Sequence, residues 1–180
     1  MEISKFRKED YNKPLSKASL DDNKKLPLID DDTRAACKLD DLTKRICEEL
    51  RDAQPLAGCD AYLLANGTHW FMEFKYQKSK NVDRKQIWRK ACDSISTVRM
   101  AIDQTITLDD LCRNAEFFVV FQDEEEKGLD AFKQKMAGYA KKEYPVYWEL
   151  RKIEGKLYRE VHTIPKSEFV ATWIPRIWGA

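Results

Sequence analysis

Three charged side chains interrupt one of the most apolar parts of this chain. Asp60, Glu73 and Lys75 fall within residues 59–77, CDAYLLANGTHWFMEFKYQ, and their spacing places them on one surface. Asn66-Gly67 between two apolar runs predicts a two-residue type I′ turn, since both central positions of that turn need positive φ. With those residues as the loop, Ala65 faces Thr68, Leu63 faces Trp70 and Asp60 faces Glu73. Side chains alternate along a strand and cross-strand partners share a face, so Asp60, Glu73 and Lys75 converge. Two opposed carboxylates repel, each raises the other's pKa, and charge inside apolar strands is costly. A divalent cation between them relieves these problems, since carboxylate oxygens are ligands for hard cations. The Lys75 ammonium alongside suits stabilisation of developing negative charge.

The elements that must hold these groups are legible as periodic patterns. A helix is expected over residues 34–53, with Leu39, Leu42, Ile46 and Leu50 on one face. Asp30-Asp31-Asp32-Thr33 supplies N-cap candidates and a negative first turn. Glu49 lies at the edge of the apolar face, Glu48 points away, and Pro55 and Gly58 close the helix. After a polar loop, Asp83 caps a second helix, residues 84–104, whose buried stripe is Ile87, Ala91, Ile95, Val98 and Ile102. Gln86, Lys90 and Asp93 flank that stripe, and Arg84, Lys85, Arg89 and Lys90 make its first half basic. A short helix is expected over 108–113, near Thr107 or Asp109. Residues 115–122, AEFFVVFQ, form an apolar run suited to a central strand covered on both faces. Further on, a helix is expected over 129–142, a hairpin over 147–164 turning at Glu154-Gly155, and a short helix over 166–173. Residues 1–32 are polar, broken by Pro14 and Pro27, and read as a poorly ordered arm with Leu26 to Ile29 docking on the body.

An Asp, a gap, then Glu-x-Lys on a following apolar strand, here Asp60 and Glu73-Phe74-Lys75, resembles the PD-(D/E)xK nuclease superfamily. The resemblance covers residues 34–122. It implies an α/β fold, a restriction-endonuclease-like sandwich with a central mixed sheet flanked by helices. That core and a C-terminal hairpin extension, residues 123–180, would make a single α/β domain, 33–180, behind the arm of residues 1–32. The resemblance further implies that Asp60 and Glu73 hold Mg²⁺ or Mn²⁺, that Lys75 helps position or activate the attacking water, and that the substrate is nucleic acid, with DNA phosphodiesters hydrolysed. The family often places an acidic residue on the helix before the Asp, which points to Glu49. Only ten residues lie between Glu49 and Asp60, however, which leaves little room for the family's extra strand there. A solvated helix edge is the plainer reading of Glu49. The family also often carries a polar residue facing the site from the helix after Glu-x-Lys, which points to Gln86 and Lys90 as phosphate contacts.

Composition sets the bounds. The 180 residues are 43% hydrophobic and 35% charged, with a net charge of +1, so any basic surface is local. There is no apolar run of membrane-spanning length and the first residues are too polar for a signal peptide, so a cytoplasmic protein with no membrane partner is expected. Five cysteines without a C-x-x-C pair read as free, mostly buried thiols. Two histidines far apart, His69 and His162, give little basis for nucleophilic triads, and scattered glycines form no phosphate loop. Trp148, Trp173 and Trp178 read as core and tail packing. A rival of another class is a catalytically silent fold that binds a protein partner, such as an immunity protein neutralising a toxin. Near-neutral charge and the acidic run from Asp123 to Glu126 favour it.

Overall fold

A computed structural model describes residues 7–21, 23–51, 55–78, 81–123 and 149–179. In chain order the elements are a 3₁₀ turn (Lys8–Tyr11), β1 (Asn12–Pro14), α1 (Leu15–Ala18), β2 (Leu20–Asp21), β3 (Leu26–Pro27), β4 (Ala35–Lys38), α2 (Leu39–Leu50), β5 (Ala61–Ala65) and β6 (Thr68–Lys75). Then come α3 (Arg84–Ala101), α4 (Leu108–Asn114), β7 (Ala115–Phe121), a 3₁₀ turn (Leu150–Ile153), β8 (Glu160–Pro165), α5 (Lys166–Glu168), a π-helical turn (Phe169–Trp173) and α6 (Ile174–Trp178). A six-stranded mixed sheet runs in the order β1-β4-β5-β6-β7-β8. Its first four strands pair antiparallel, while β6, β7 and β8 pair parallel. The fold is therefore α/β, a mixed sheet flanked by helices.

The hairpin forms in the expected register. Asn66 and Gly67 take φ of 51° and 73°, and Ala65 pairs with Thr68 and Leu63 with Trp70. The free edge of β6 takes β7 through α3, because a parallel neighbour requires a crossover connection. Asp83 caps α3 by accepting from the Lys85 and Gln86 amides. Thr107 and Asp110 form a reciprocal capping box on α4. All seven residues of β7 are buried, as a central strand with two covered faces demands.

Helices cover both faces, which explains why β6 is buried from His69 to Phe74 instead of alternating between buried and exposed. On one face Tyr62, Phe71, Phe117 and Val119 pack with Leu39, Leu42 and Ile46 of α2 and Ile87, Ala91, Ile95 and Val98 of α3. On the other, Trp70, Met72, Phe74, Phe118, Val120 and Ile164 lie beneath Leu15, Leu28 and Ile29 and the C-terminal Phe169, Ile174 and Ile177. Trp173 packs edge-on against Trp70 and Phe118, and the Trp178 indole donates to the Ala35 carbonyl at 3.0 Å. Among the described residues no helix is long and apolar enough to cross a membrane.

Several expectations are corrected. The helix expected over 34–53 begins only at Leu39, because Ala35–Lys38 is a strand paired on both sides, with β1 and β5. Local propensity favoured helix there, and two long-range ladders override it. Asp31 does not cap that helix; it accepts from Thr33 and from the Arg34 amide and guanidinium, which hold its carboxyl down at about 2 despite the opposing effect of desolvation. The stretch read as a poorly ordered arm supplies an edge strand and fully buried Leu15 and Leu28. The expected hairpin over 147–164 is not one: Gly155 does turn, with φ of 65°, but β8 pairs in parallel with β7. The helix expected over 84–104 ends at Ala101, and the one expected over 166–173 continues as helical turns to Trp178. The helix expected over 129–142, Trp148 and residues 124–126 lie outside the described residues.

If the N-terminal segment is part of the core, Leu28→Ala should destabilise the protein by about 2–5 kcal/mol, the usual cost of truncating a buried leucine. Urea denaturation followed by tryptophan fluorescence measures this, and a loss below about 0.5 kcal/mol would mean that the segment detaches freely.

Candidate active site at the open end of the hairpin

Asp60, Glu73 and Lys75 meet where β5 and β6 emerge from the ladder, on the α3 face of the sheet. Asp60 sits one residue before β5, and its backbone carbonyl accepts from the Leu39 amide at 3.1 Å, joining it to the start of α2. Its Oδ2 accepts from the Phe74 amide at 2.7 Å, which fixes the carboxylate against β6. The loop that delivers Asp60 is held by α3: Ala57 N donates to Asp93 Oδ2 at 2.9 Å, and Cys59 N donates to Ser94 Oγ at 2.8 Å. The same loop packs so tightly on α2 that a Cβ at Gly58 would lie 2.3 Å from Thr43 Oγ1, so glycine is required there for close approach.

Glu73 is fully buried. Lys90 of α3 reaches between the two carboxylates, its Nζ donating to Asp60 Oδ1 and to Glu73 Oε2, each at 2.9 Å. Lys75 Nζ lies 2.8 Å from Glu73 Oε1 as an ion pair and donates to Gln86 Oε1 at 2.8 Å. Glu73 Oε1 is held by this ion pair and by no other group among the described residues. The structure thus brings together Asp60, Glu73, Lys75, Gln86 and Lys90. Two ammonium groups supply the positive charge that the opposed carboxylates demand, and Lys90 sits where the sequence argument placed a metal ion.

Glu49 is not in this cluster. It is exposed and paired with Arg45 at 2.8 Å, because α2 meets the site at its first turn and then runs away from it, about 1.5 Å per residue. The carboxylate that α2 brings in is Asp40. Its Oδ1 is buried with no hydrogen-bond partner among the described residues, while Oδ2 is 3.3 Å from Lys44 Nζ. Burial first, and then the negative charge of Asp60, raise its pKa. Sequence reasoning missed Asp40 because a helix starting at 34 places it mid-helix. The signal that would have found it is the true start of α2, set by the β4 pairing.

The electrostatics follow from burial and proximity. Desolvation and Asp60 push the Glu73 carboxyl above its ordinary range, against the pull of Lys90 and Lys75. Burial alone would lower the Lys90 pKa, but Glu73 and Asp60 outweigh it and hold the ammonium charged. Asp60 and Glu73 offer hard oxygen donors, the class that suits Mg²⁺ and Mn²⁺, in the place that the Lys90 ammonium now holds. Asp40 bears on them through its charge and leaves one buried oxygen without a hydrogen bond among the described residues.

A second group with metal-ligand chemistry lies on the opposite face. Glu116, Glu160 and His162 bring one ligand atom each within 4.8 Å of one another. Both oxygens of the buried Glu116 are already used, one by the Arg159 guanidinium and the other by His162 Nε2 at 2.9 Å. These hydrogen bonds hold Glu116 below the usual carboxylate range although burial raises it. The His162 ring stacks on Phe118 and packs against Trp173. This is ion pairing that ties β8 and the C-terminal helix to β7. His69 instead meets the Tyr62 hydroxyl at 2.8 Å, far along β6 from the acidic pair. The five cysteines are free, with Cys37, Cys47 and Cys59 buried.

The raised Glu73 pKa has a testable sign. The folded state holds that proton more tightly than the unfolded chain does, so this contribution is full below the ordinary value of 4.5 and declines as pH rises through the higher folded value. In EDTA, Glu73→Gln should remove that decline, so that its melting temperature gains on the parent's from acidic to neutral pH. A constant offset between the two proteins across that range would show that Glu73 is not so perturbed. No protein-family model, curated protein or solved structure matches this chain, so its residues and their geometry carry the functional reading.

Proposed function

We propose that this chain is a divalent-metal-dependent nuclease of restriction-endonuclease-like fold, hydrolysing phosphodiester bonds of DNA. The observation that supports it most is the meeting of Asp60, Glu73, Lys75 and Gln86 at one end of the hairpin, with Asp40 contributing a third carboxylate from α2. Asp60 and Glu73 would hold Mg²⁺ or Mn²⁺, with Asp40 beside them, and the ion when bound supplies Lewis acidity at the scissile phosphate. Lys75, steadied by Gln86, stabilises charge that appears on the phosphate in the transition state. The Phe74 amide keeps Asp60 aimed inward, and the Glu73 carboxylate is shielded from water by the sheet.

The surface next to the site favours a nucleic-acid substrate. Arg84, Lys85, Trp88 and Arg89 are exposed on the first turns of α3, the helix that also carries Gln86 and Lys90. A basic helix face with an exposed indole suits phosphate contacts and base stacking. One observation favours the rival reading, a silent fold that binds a protein such as a toxin. Lys90 and Lys75 together already balance the charge of the carboxylate pair, so the pair has its counter-ions without metal.

Purified protein incubated with Mg²⁺ or Mn²⁺ and with single- and double-stranded DNA and RNA separates these readings. The nuclease predicts cleavage of DNA that EDTA stops. Glu73→Ala should abolish it, and Lys75→Ala should cut turnover by roughly 3 kcal/mol of transition-state stabilisation with little change in binding. Arg84→Glu or Lys85→Glu should weaken DNA binding and reduce its salt dependence by about one ion per lost phosphate contact. A parent protein that cuts none of these substrates with either ion, yet binds a protein partner through this face, belongs to the rival class.

A further inference from the structure

We infer that Lys90 is a tethered internal cation that competes with the metal for the Asp60–Glu73 pair and so sets the metal affinity of the site. This rests on the proposed metal site and concerns its regulation. All four oxygens of the pair are engaged: Asp60 Oδ2 by the Phe74 amide at 2.7 Å, Glu73 Oε1 by the Lys75 ammonium at 2.8 Å, and Asp60 Oδ1 and Glu73 Oε2 by Lys90. An ion that bridges the two carboxylates therefore has to displace one of these partners. The Phe74 amide belongs to a buried strand and cannot withdraw. Of the two carboxylates Lys75 pairs with Glu73 alone among the described residues, so its departure opens no bridge. Lys90 alone contacts both carboxylates, with its nitrogen 2.9 Å from each of the oxygens that an ion would hold at about 2.1 Å. Ammonium and metal cannot both occupy the space between the same two oxygens.

The side chain is built for such an exchange. The backbone of α3 at this point is fixed: Ile87 and Ala91 are fully buried, and Ser94 Oγ donates to the Lys90 carbonyl at 2.6 Å. Beyond the Cα, lysine is a flexible stem carrying a point charge, able to swing aside where a rigid guanidinium fork would not. The helix thus keeps the competing charge at high local concentration without making it a permanent ligand. A site whose binding-competent form is only a fraction of the population binds its ligand weaker by that fraction. Removal of the Lys90 charge makes the competent form dominant.

The test is Mn²⁺ binding by isothermal titration calorimetry and by the manganese electron-spin signal, with melting temperature as a function of Mn²⁺, on the parent, Lys90→Met, Lys90→Gln, Lys90→Arg and Asp60→Asn. Lys90→Met and Lys90→Gln should bind Mn²⁺ about tenfold or more tightly than the parent, within the usual range of coupling between two ligands. Their melting temperatures should be lower than the parent's in EDTA and rise further on addition of Mn²⁺. Lys90→Arg, which keeps the charge on a fork that does not swing aside, should bind Mn²⁺ no more tightly than the parent, and Asp60→Asn should remove binding. If Lys90→Met does not fold in EDTA, recovery of its fold with Mn²⁺ and the affinity of Lys90→Gln carry the same information. Equal affinity in the parent and both neutral variants overturns the role of Lys90 and leaves the nuclease reading standing. Binding by the neutral variants with none by the parent upholds the role of Lys90 and removes the nuclease reading. Absence of binding in all of them overturns both.

Discussion

A carboxylate with no solvent exposure cannot remain charged in an apolar wall unless cations stand within reach. Glu73 meets this constraint with two lysines, one on its own strand and one on the crossing helix. The arrangement of the neighbouring elements follows from it. Lys90 reaches the pair only because α3 packs directly over β6, and α3 packs there because a parallel β7 needs a crossover. The loop before β5 is then held to α3 by Asp93 and Ser94 and to β6 by the Phe74 amide, so Asp60 arrives opposite Glu73 already aimed. The buried charge and the topology that surrounds it are one structural problem with one solution.

The parts of this solution that were legible in the sequence are those set by local chemistry. Asn66-Gly67 fixes its own turn, and the turn fixes the register, so the convergence of Asp60, Glu73 and Lys75 could be read from the spacing. Asp83 announces the start of α3, and from that start the positions of Gln86 and Lys90 beside the buried stripe follow from helical period. What sequence did not disclose is set by partners distant in the chain. Ala35–Lys38 contains two alanines, good helix formers, and becomes a strand only because β1 and β5 flank it. That single misplacement moved the start of α2 by five residues, from 34 to 39, which hid Asp40.

The role of Lys90 was also beyond the reach of pattern. A basic residue on a helix edge is ordinary, and nothing in the spacing distinguishes a phosphate contact from an internal counter-ion. The distinction lies in the third dimension, in an ammonium equidistant from two carboxylate oxygens. The expectation that a divalent cation must relieve the opposed carboxylates was sound in its physics but assumed that no other cation was available.

Comparison of the two buried glutamates shows why one is a candidate centre and the other is not. Glu116 and Glu73 both lack solvent exposure and both face a basic group on a neighbouring element, but Glu73 lies deeper. For Glu116 the neutralisation is complete: Arg159 and His162 each donate to one oxygen, and the result is a carboxyl held below its ordinary range. For Glu73 two lysines stand within reach as well, but deeper burial and the opposed Asp60 outweigh them, and the carboxyl stays above that range. A fold under selection for stability alone would favour the first arrangement, because a buried charge that its partners do not fully offset costs free energy. A buried carboxylate pair at the end of a rigid hairpin, raised in pKa by its own burial and opposition and answered by two lysines, is the kind of perturbed cluster in which function and titration tend to coincide.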